Sequence, residues 1–431
     1  MAIEAEAVQE VPEGFKLTEI GPLPEDWRAA RLGDICQPRR AIVDPKNLAD
    51  CPYVGLEHID SGDSRLKRRG RAAEVKSSKG QFHVGDILYG KLRPYLDKAV
   101  LAEADGICST DILVFVADST KAEPAYLVHV LHSTSFLAHA VSTTAGTNYP
   151  RTSWGALTDF LLPLPPLDEQ RAIARVLSTI HRAIETTERV IAAARQLKRS
   201  LMRHLFTYGP VPIAQAERIQ LKETEIGPLP EHWDVVKLGD AAHLVMGQSP
   251  PGSSYNTDGR GLPLLNGPAE FGVRRPTVAK WTTSPTKVCQ VGDILTCVRG
   301  NTTGRLNVAD ERYCIGRGVA AIRGKGTRSE TAYLLFFLQK EVDAILALAQ
   351  AGGSTFPNIT KSEIERLLLP LPPPAEQRQV GRALSAVDRT IEAEEKRKAA
   401  LKELFRTMLH LLMTGRVRVK DWHEPEAKEV P

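Results

Sequence analysis

The chain lacks any run of 18 apolar residues; its best, around Tyr333–Leu338, is far too short to span a bilayer, so no membrane partner is expected. Residues Met1–Glu10 carry acids and no basic segment ahead of an apolar stretch, which argues against a secretory signal. Cysteine is sparse. Cys36, Cys51, Cys108, Cys289, Cys297 and Cys314 are scattered with no C-x-x-C pair, which reads as buried thiols in a reducing cytoplasm rather than disulfides or a zinc site. An excess of one charge is also missing: 56 Lys and Arg against 52 Asp and Glu leave +4. A nucleic-acid surface would therefore have to come from local clustering.

Catalytic signatures are absent as well. Gly324-Lys325-Gly326-Thr327 lacks the leading glycine of a phosphate-binding loop and the hydroxyl residue directly after its lysine. No Asn/Asp-Pro-Pro-aromatic tetrad of an amino-methyltransferase occurs, and no glycine-rich cofactor loop follows an apolar strand. The 11 histidines never fall at metal-ligand spacing. Glu426-Ala-Lys428 superficially matches a nuclease E-x-K, but it lies in a polar terminus. These absences favour binding over catalysis, with no catalytic residue, metal or cofactor of the chain's own.

What the 431 residues do contain is enough apolar material, 42%, for two to four domains, and a duplication. Thr18–Glu25 recurs letter for letter as Thr224–Glu231, and Trp27 and Leu32-Gly33-Asp34 match Trp233 and Leu238-Gly239-Asp240. Over 18–36 against 224–242, 12 of 19 positions are identical. Val84-Gly-Asp-Ile-Leu88 returns as Val291–Leu295, and 160–185 aligns with 367–392 at 15 of 26 identities. Residues 37–83 and 243–290, between these anchors, share almost nothing. Matching frames around different middles imply one scaffold presenting two recognition surfaces.

Short apolar runs such as Ile112–Phe115 and Gly318–Ile322, bounded by turn residues, predict strands; Ala125–Ala140 and Thr331–Ala349 have helical spacing. Each half then reads as a mixed α/β (α+β) domain with an irregular sheet. A Pro-rich stop and a long helical pattern follow each domain. In the first half Leu177, Ile180, Ile184, Thr187, Ile191, Ala194, Lys198, Leu201 and Leu205 step by threes and fours; in the second, Leu384, Val387, Ile391, Glu394, Lys398, Leu401, Phe405, Met408 and Leu412 do so. Such seams predict two long helices coiled antiparallel, with the polar members fixing register. Asp168 is the expected N-cap of the first, Pro374-Ala375 leaves the start of the second less well specified, and Gly415 ends the second.

Basic residues cluster in and beside the divergent middles: Arg65, Lys67, Arg68, Arg69 and Arg71 in one, Arg274, Arg275 and Lys280 with Trp281 in the other. Tyr89, Lys91 and Arg93 follow one Gly-Asp-Ile-Leu run, Arg299 and Asn301 the other. Asn148-Tyr149-Pro150 and Phe356-Pro357-Asn358 occupy matching places near the domain ends. Arginine's fork suits phosphates and guanine edges, and asparagine suits adenine edges. The DNA-contact candidates are thus Lys67, Arg68, Arg69, Tyr89, Lys91, Arg93, Asn148, Tyr149, Arg274, Arg275, Lys280, Arg299, Asn301 and Asn358.

With its Gly-Pro-Leu-Pro-x-x-Trp and Val-Gly-Asp-Ile-Leu segments, its Pro-Leu-Pro-Pro-x-x-Glu-Gln-Arg helix starts, and Leu412-Met-Thr-Gly-Arg-Val-Arg418, the chain resembles the specificity subunits of type I restriction-modification enzymes over about 16–418. The resemblance implies an N-terminal extension (1–17), a first target-recognition domain (18–163), a central long helix (164–208) and a linker (209–221). A second target-recognition domain (222–370), a distal long helix (371–415) and a tail (416–431) complete it. It further implies a bipartite, asymmetric target on double-stranded DNA, two methyltransferase subunits and restriction-translocase subunits as partners. S-adenosylmethionine, ATP and Mg would serve those partners only. The glycine-richer Ala349–Ser354 departs from Ala145-Gly146-Thr147 and suggests a loop of different length. A coiled-coil adaptor with two protein-binding domains is the alternative reading.

Overall fold

A computed structural model describes residues 11–48, 50–351 and 357–419. Residues 352–354 of the glycine-richer stretch and Glu426-Ala-Lys428 fall outside these residues. The chain divides into two compact units: 1–187 with 397–431, and 188–396. Each unit therefore holds one domain and one half of each long helix.

In the first unit, an antiparallel sheet runs in the order Ala99–Leu101, Ile87–Gly90, Ile112–Ala117, Cys36–Pro38. The second unit repeats this order with Leu306–Val308, Ile294–Cys297, Val319–Gly324 and Ala242–Met246. The divergent middles build a second sheet in each unit, of five strands in the first and four in the second. Both second sheets keep one parallel pair at matching places, Gly106–Cys108 beside Pro52–Val54 and Cys314–Ile315 beside Leu262–Leu265. The framework sheet is duplicated, and the other sheet is where the halves differ.

The two expected helical stretches are each broken. Pro124–Leu131 and Thr134–Ser142 replace one continuous run, as do Thr331–Lys340 and Val342–Ala351. The Ser133 hydroxyl accepts from Phe136 N and so starts a second helix where the first has ended.

Two repeated aromatic and acidic positions explain the repeated motifs. The indoles of Trp27 and Trp233 are fully buried, and each donates Nε1–H to Oε2 of a glutamate, Glu169 and Glu376, at 2.9 Å. Asp86 accepts from His83 N and from both Nε and Nη2 of Arg39 (2.7 and 3.0 Å). Asp293 does the same with Gln290 N and Arg323 (2.5 and 2.9 Å). The preceding glycines, Gly85 and Gly292, both have φ of 86°, the left-handed turn that only glycine adopts without strain. Val-Gly-Asp-Ile-Leu is thus a turn plus a buried carboxylate that pins an arginine, Arg39 just after the strand Cys36–Pro38 in the first unit and Arg323 within Val319–Gly324 in the second.

The long helices run Leu167–Tyr208 and Pro374–Met413. Asp168 lies inside the first turn, highly exposed and paired with Arg171, so it is not the N-cap. The helix start is held by Gln170 instead. Its amide donates to Pro165 O and Lys121 O and accepts from Glu123 N; Gln377 repeats this with Pro372 O, Arg328 O and Glu330 N. The second start is therefore as well specified as the first. Gly415, at φ 66°, closes the second helix.

In the first unit Leu177 and Ile184 pack with Phe405 and Leu412, flanked by Ile180 and Leu401; His181 stacks on Phe405 at 4.2 Å. In the second unit Leu205, Leu201 and Leu384 share a core, Arg195 pairs with Glu395, and Lys198 pairs with Asp388 at 2.7 Å. Rising numbers on one helix meet falling numbers on the other, so the halves are antiparallel within each unit. Ile191 is buried, and Val387 and Ile391 are half-buried. Each seam also packs on its own domain, since Phe136, Tyr126 and Leu164 belong to the cluster of Leu177.

All six cysteines are free, five buried and Cys51 half-buried. Burial pushes the thiols of Cys36 and Cys108 up to about 12, and those of Cys289 and Cys297 to about 11, so they stay protonated and inert. Among the described residues no group of His, Cys, Asp or Glu is arranged to hold a metal, and no helix is long and apolar enough to cross a membrane.

Candidate nucleic-acid interface

The fourteen candidates separate into structural residues and free ones. Tyr89 is a correction. It lies on a central strand of the framework sheet, 2% exposed, between Phe115 and Phe136 at 5.7 and 5.4 Å. Alternation along Ile87–Gly90 gave no warning, because every residue of that strand is buried. Tyr89 is core, not a DNA contact.

Arg274 is half-buried and already engaged. Its guanidinium meets Asp388 at 2.9 Å and Glu392 at 3.5 Å, both on the second long helix. The first unit has a counterpart outside the fourteen candidates. Arg65 reaches Glu185 of the first long helix at 3.0 Å, while Ser64 hydrogen-bonds His181 at 2.9 Å. Glu185 and Glu392 occupy matching places in the duplication, as do His181 and Asp388. In each unit a middle-segment arginine therefore ties the recognition domain to a helix. The available signal was the repeat itself, since Glu185 and Glu392 close the stretch over which 160–185 aligns with 367–392.

Lys67 pairs with Asp63 (2.8 Å) and Arg68 with Asp60, so neither is free, although both remain exposed. With Arg69 they line an open pocket of about 290 Å³ together with Leu66, Phe82 and Asp105. Arg275 is exposed, 4.0 Å from Asp310. The side chains of Arg69, Lys280, Arg299 and Asn301 are exposed and carry no hydrogen bond or ion pair among the described residues. Asn148 and Asn358 are exposed too, and Lys91 is half-buried.

Backbone pairing brings some of these together. Arg299 bridges Asn358, and Gly300 N donates to Pro357 O at 2.7 Å. In the first unit Arg93 N donates to Pro150 O at 2.7 Å, and the Arg93 guanidinium lies 5.5 Å from the Tyr149 ring. The loop after the Gly-Asp-Ile-Leu strand and the loop before the domain's last strand thus meet at one edge of each domain. Lys67–Arg69 and Arg274–Lys280 belong to the divergent middles instead.

Two duplicated domains thus each combine a repeated framework sheet with a divergent sheet, and each carries exposed cations. The sequence model of the type I restriction modification DNA specificity domain matches this chain twice, over 24–196 and 230–403. The chain belongs to that family. It is 33% identical over 422 residues to the chain assigned as the MjaX type I restriction enzyme specificity subunit of Methanocaldococcus jannaschii, covering 95% of this chain and 97% of the relative. One chain from a structure that addresses complex assembly and conformational transition of the type I R-M system is 31% identical, with a TM-score of 0.53. That alignment covers 92% of this chain and 99% of the other. The type I restriction-modification S subunit of M. genitalium shares the fold at TM-score 0.65 and 15% identity, over 90% and 96% of the two chains. As a specificity subunit, the chain devotes its two recognition domains to DNA sequence.

Proposed function

We propose that the two domains read the unlike halves of one split DNA target, while the chain itself performs no catalysis. The observation that carries this is the division of each domain into a repeated framework sheet and a second sheet that differs in strand number. A frame kept twice supports two equivalent placements, and different second sheets support two different half-sites. Exposed Arg69, Lys280, Arg299 and Asn301 supply phosphate and base-edge chemistry, the former setting register and the latter identity.

In this reading two methyltransferase subunits dock on the long helices and restriction-translocase subunits join them in the cytoplasm. S-adenosylmethionine, ATP and Mg are used by those partners. With a net charge of only +4, the isolated chain binds DNA weakly, and the assembled complex binds it strongly.

Exchange of 18–163 for the matching domain of a relative, followed by genome-wide mapping of methylated adenines, tests the reading. One half of the target is expected to change and the other to persist. A change in both halves, or in neither, overturns it; recovery of bound DNA with no split motif would favour the adaptor.

A further inference from the structure

Two residues other than glycine adopt positive φ among the described residues: Arg93 (52°) and Asp97 (50°), both in the first unit. The duplication assigns each a partner in the second unit, and both partners are left-handed glycines, Gly300 (81°) and Gly304 (87°). The backbone at the first pair is the same. Arg93 N and Gly300 N each donate to the carbonyl of a matched proline at 2.7 Å, and each carbonyl accepts from the residue three positions on. One copy of this loop uses the unstrained residue, and the other carries a side chain at the cost of strain.

For Asp97 the fold explains the choice. Its carboxylate meets His132 Nδ1 at 2.7 Å, inside the domain. Arg93 has no such return: its guanidinium makes no hydrogen bond or ion pair among the described residues. It lies instead over Tyr149, which is 61% exposed, with Tyr95 55% exposed in the same loop. The segment carrying Tyr149 is braced. Ala145 and Arg151 exchange both backbone hydrogen bonds, at 2.9 and 3.0 Å, and Arg151 pairs with Asp111 at 2.9 Å. A strained arginine and an exposed aromatic ring thus lie against each other, and among the described residues the guanidinium has no hydrogen-bond or ion-pair partner.

We propose that Arg93, oriented by Tyr149, reads a guanine edge in the half-site of the first domain, and that the second domain has no equivalent reader at Gly300. Attraction to the ring face restrains the guanidinium fork, and O6 and N7 of guanine match that fork. A phosphate contact would serve both halves alike. A side chain present in one copy and replaced by glycine at the same backbone position differs between copies as base reading must.

This rests on the proposed function, and its test separates the two. Arg93→Gly, Arg93→Lys, Tyr149→Phe and Tyr149→Ala are made in the full chain assembled with its methyltransferase. Binding is measured on the mapped target and on duplexes with either half scrambled. Arg93→Gly is expected to bind the full target at least tenfold more weakly, with Tm unchanged or raised. That loss should vanish when the first domain's half is scrambled and persist when the other half is. Arg93→Lys should keep affinity for random DNA yet lose preference for G·C at one position of that half. Tyr149→Phe should match wild type, and Tyr149→Ala should follow Arg93→Gly. Binding by Arg93→Gly within twofold of wild type overturns the proposal, as does an equal loss on every duplex, which would mean a phosphate contact. A wild-type complex with no split target overturns the proposed function and this inference together.

Discussion

His181, buried in the first unit, shows how a single position can be reused differently. Its ring hydrogen-bonds Ser64 and stacks on Phe405, whereas the matching Asp388 pairs with Lys198 and Arg274. Burial is the main force lowering the His181 pKa to about 4; nearby Asp63 opposes it, and His132, Lys67 and Arg65 reinforce it. His129, fully buried beside it, is also lowered well below the usual imidazole range, again mainly by burial. An unfolded histidine titrates near 6.5, so the unfolded state takes up the proton first as pH falls. Stability contributed by neutral His181 is present above about pH 6.5 and is lost progressively toward pH 4. Thermal melts of the full chain should therefore show Tm falling across that window, and His181→Gln should flatten the slope. An unchanged slope in the variant would contradict the assignment. None of this was legible in the sequence, where His181 reads as one more residue on a helix; its neighbours come from 63–65 and from 405.

At the scale of elements, the repeated motifs are mostly the hardware of helix starts. Tyr126 and Tyr333 donate their hydroxyls to Pro163 O and Pro370 O, and Gln170 and Gln377 each satisfy three backbone groups. A fully buried glutamine so engaged cannot be removed without stranding polar backbone. The seam residues were predictable from spacing alone because a helix repeats every 3.6 residues and a pairing partner selects one face. Leu177 and Leu384 are both fully buried, while Leu197, off the seam, is 56% exposed. Leu177→Ala or Leu384→Ala should each cost about 2–5 kcal/mol in denaturant unfolding. Leu197→Ala should cost under about 0.5 kcal/mol. Comparable losses at all three would mean the helices do not pair through this face.

Across the whole molecule, each long helix starts in one unit and finishes in the other. Four residues inserted near Ile191 would add about 6 Å of helix, and the same insertion opposite it would keep the partners in register. If helix length sets the gap between half-sites, methylated adenines should map to a target whose two halves are unchanged and whose gap is longer. An unchanged gap would remove the helices from that role.

Duplication, the long helices and the family were all determined by the sequence, because identity between halves and apolar periodicity are properties of the chain written out in line. The edges of the repeat already carried the motifs that later proved to be Trp–Glu, Asp–Arg and glutamine clamps. The tertiary structure alone decided which cations are available. Arg274 and Arg299 look alike as letters, yet one is neutralised by Asp388 and the other is exposed without an ion pair. Tyr89 and Tyr149 both stand near basic residues, yet one is packed between aromatic rings and the other faces outward. Such differences arise from contacts between residues far apart in the chain, and no local pattern of residue types encodes them.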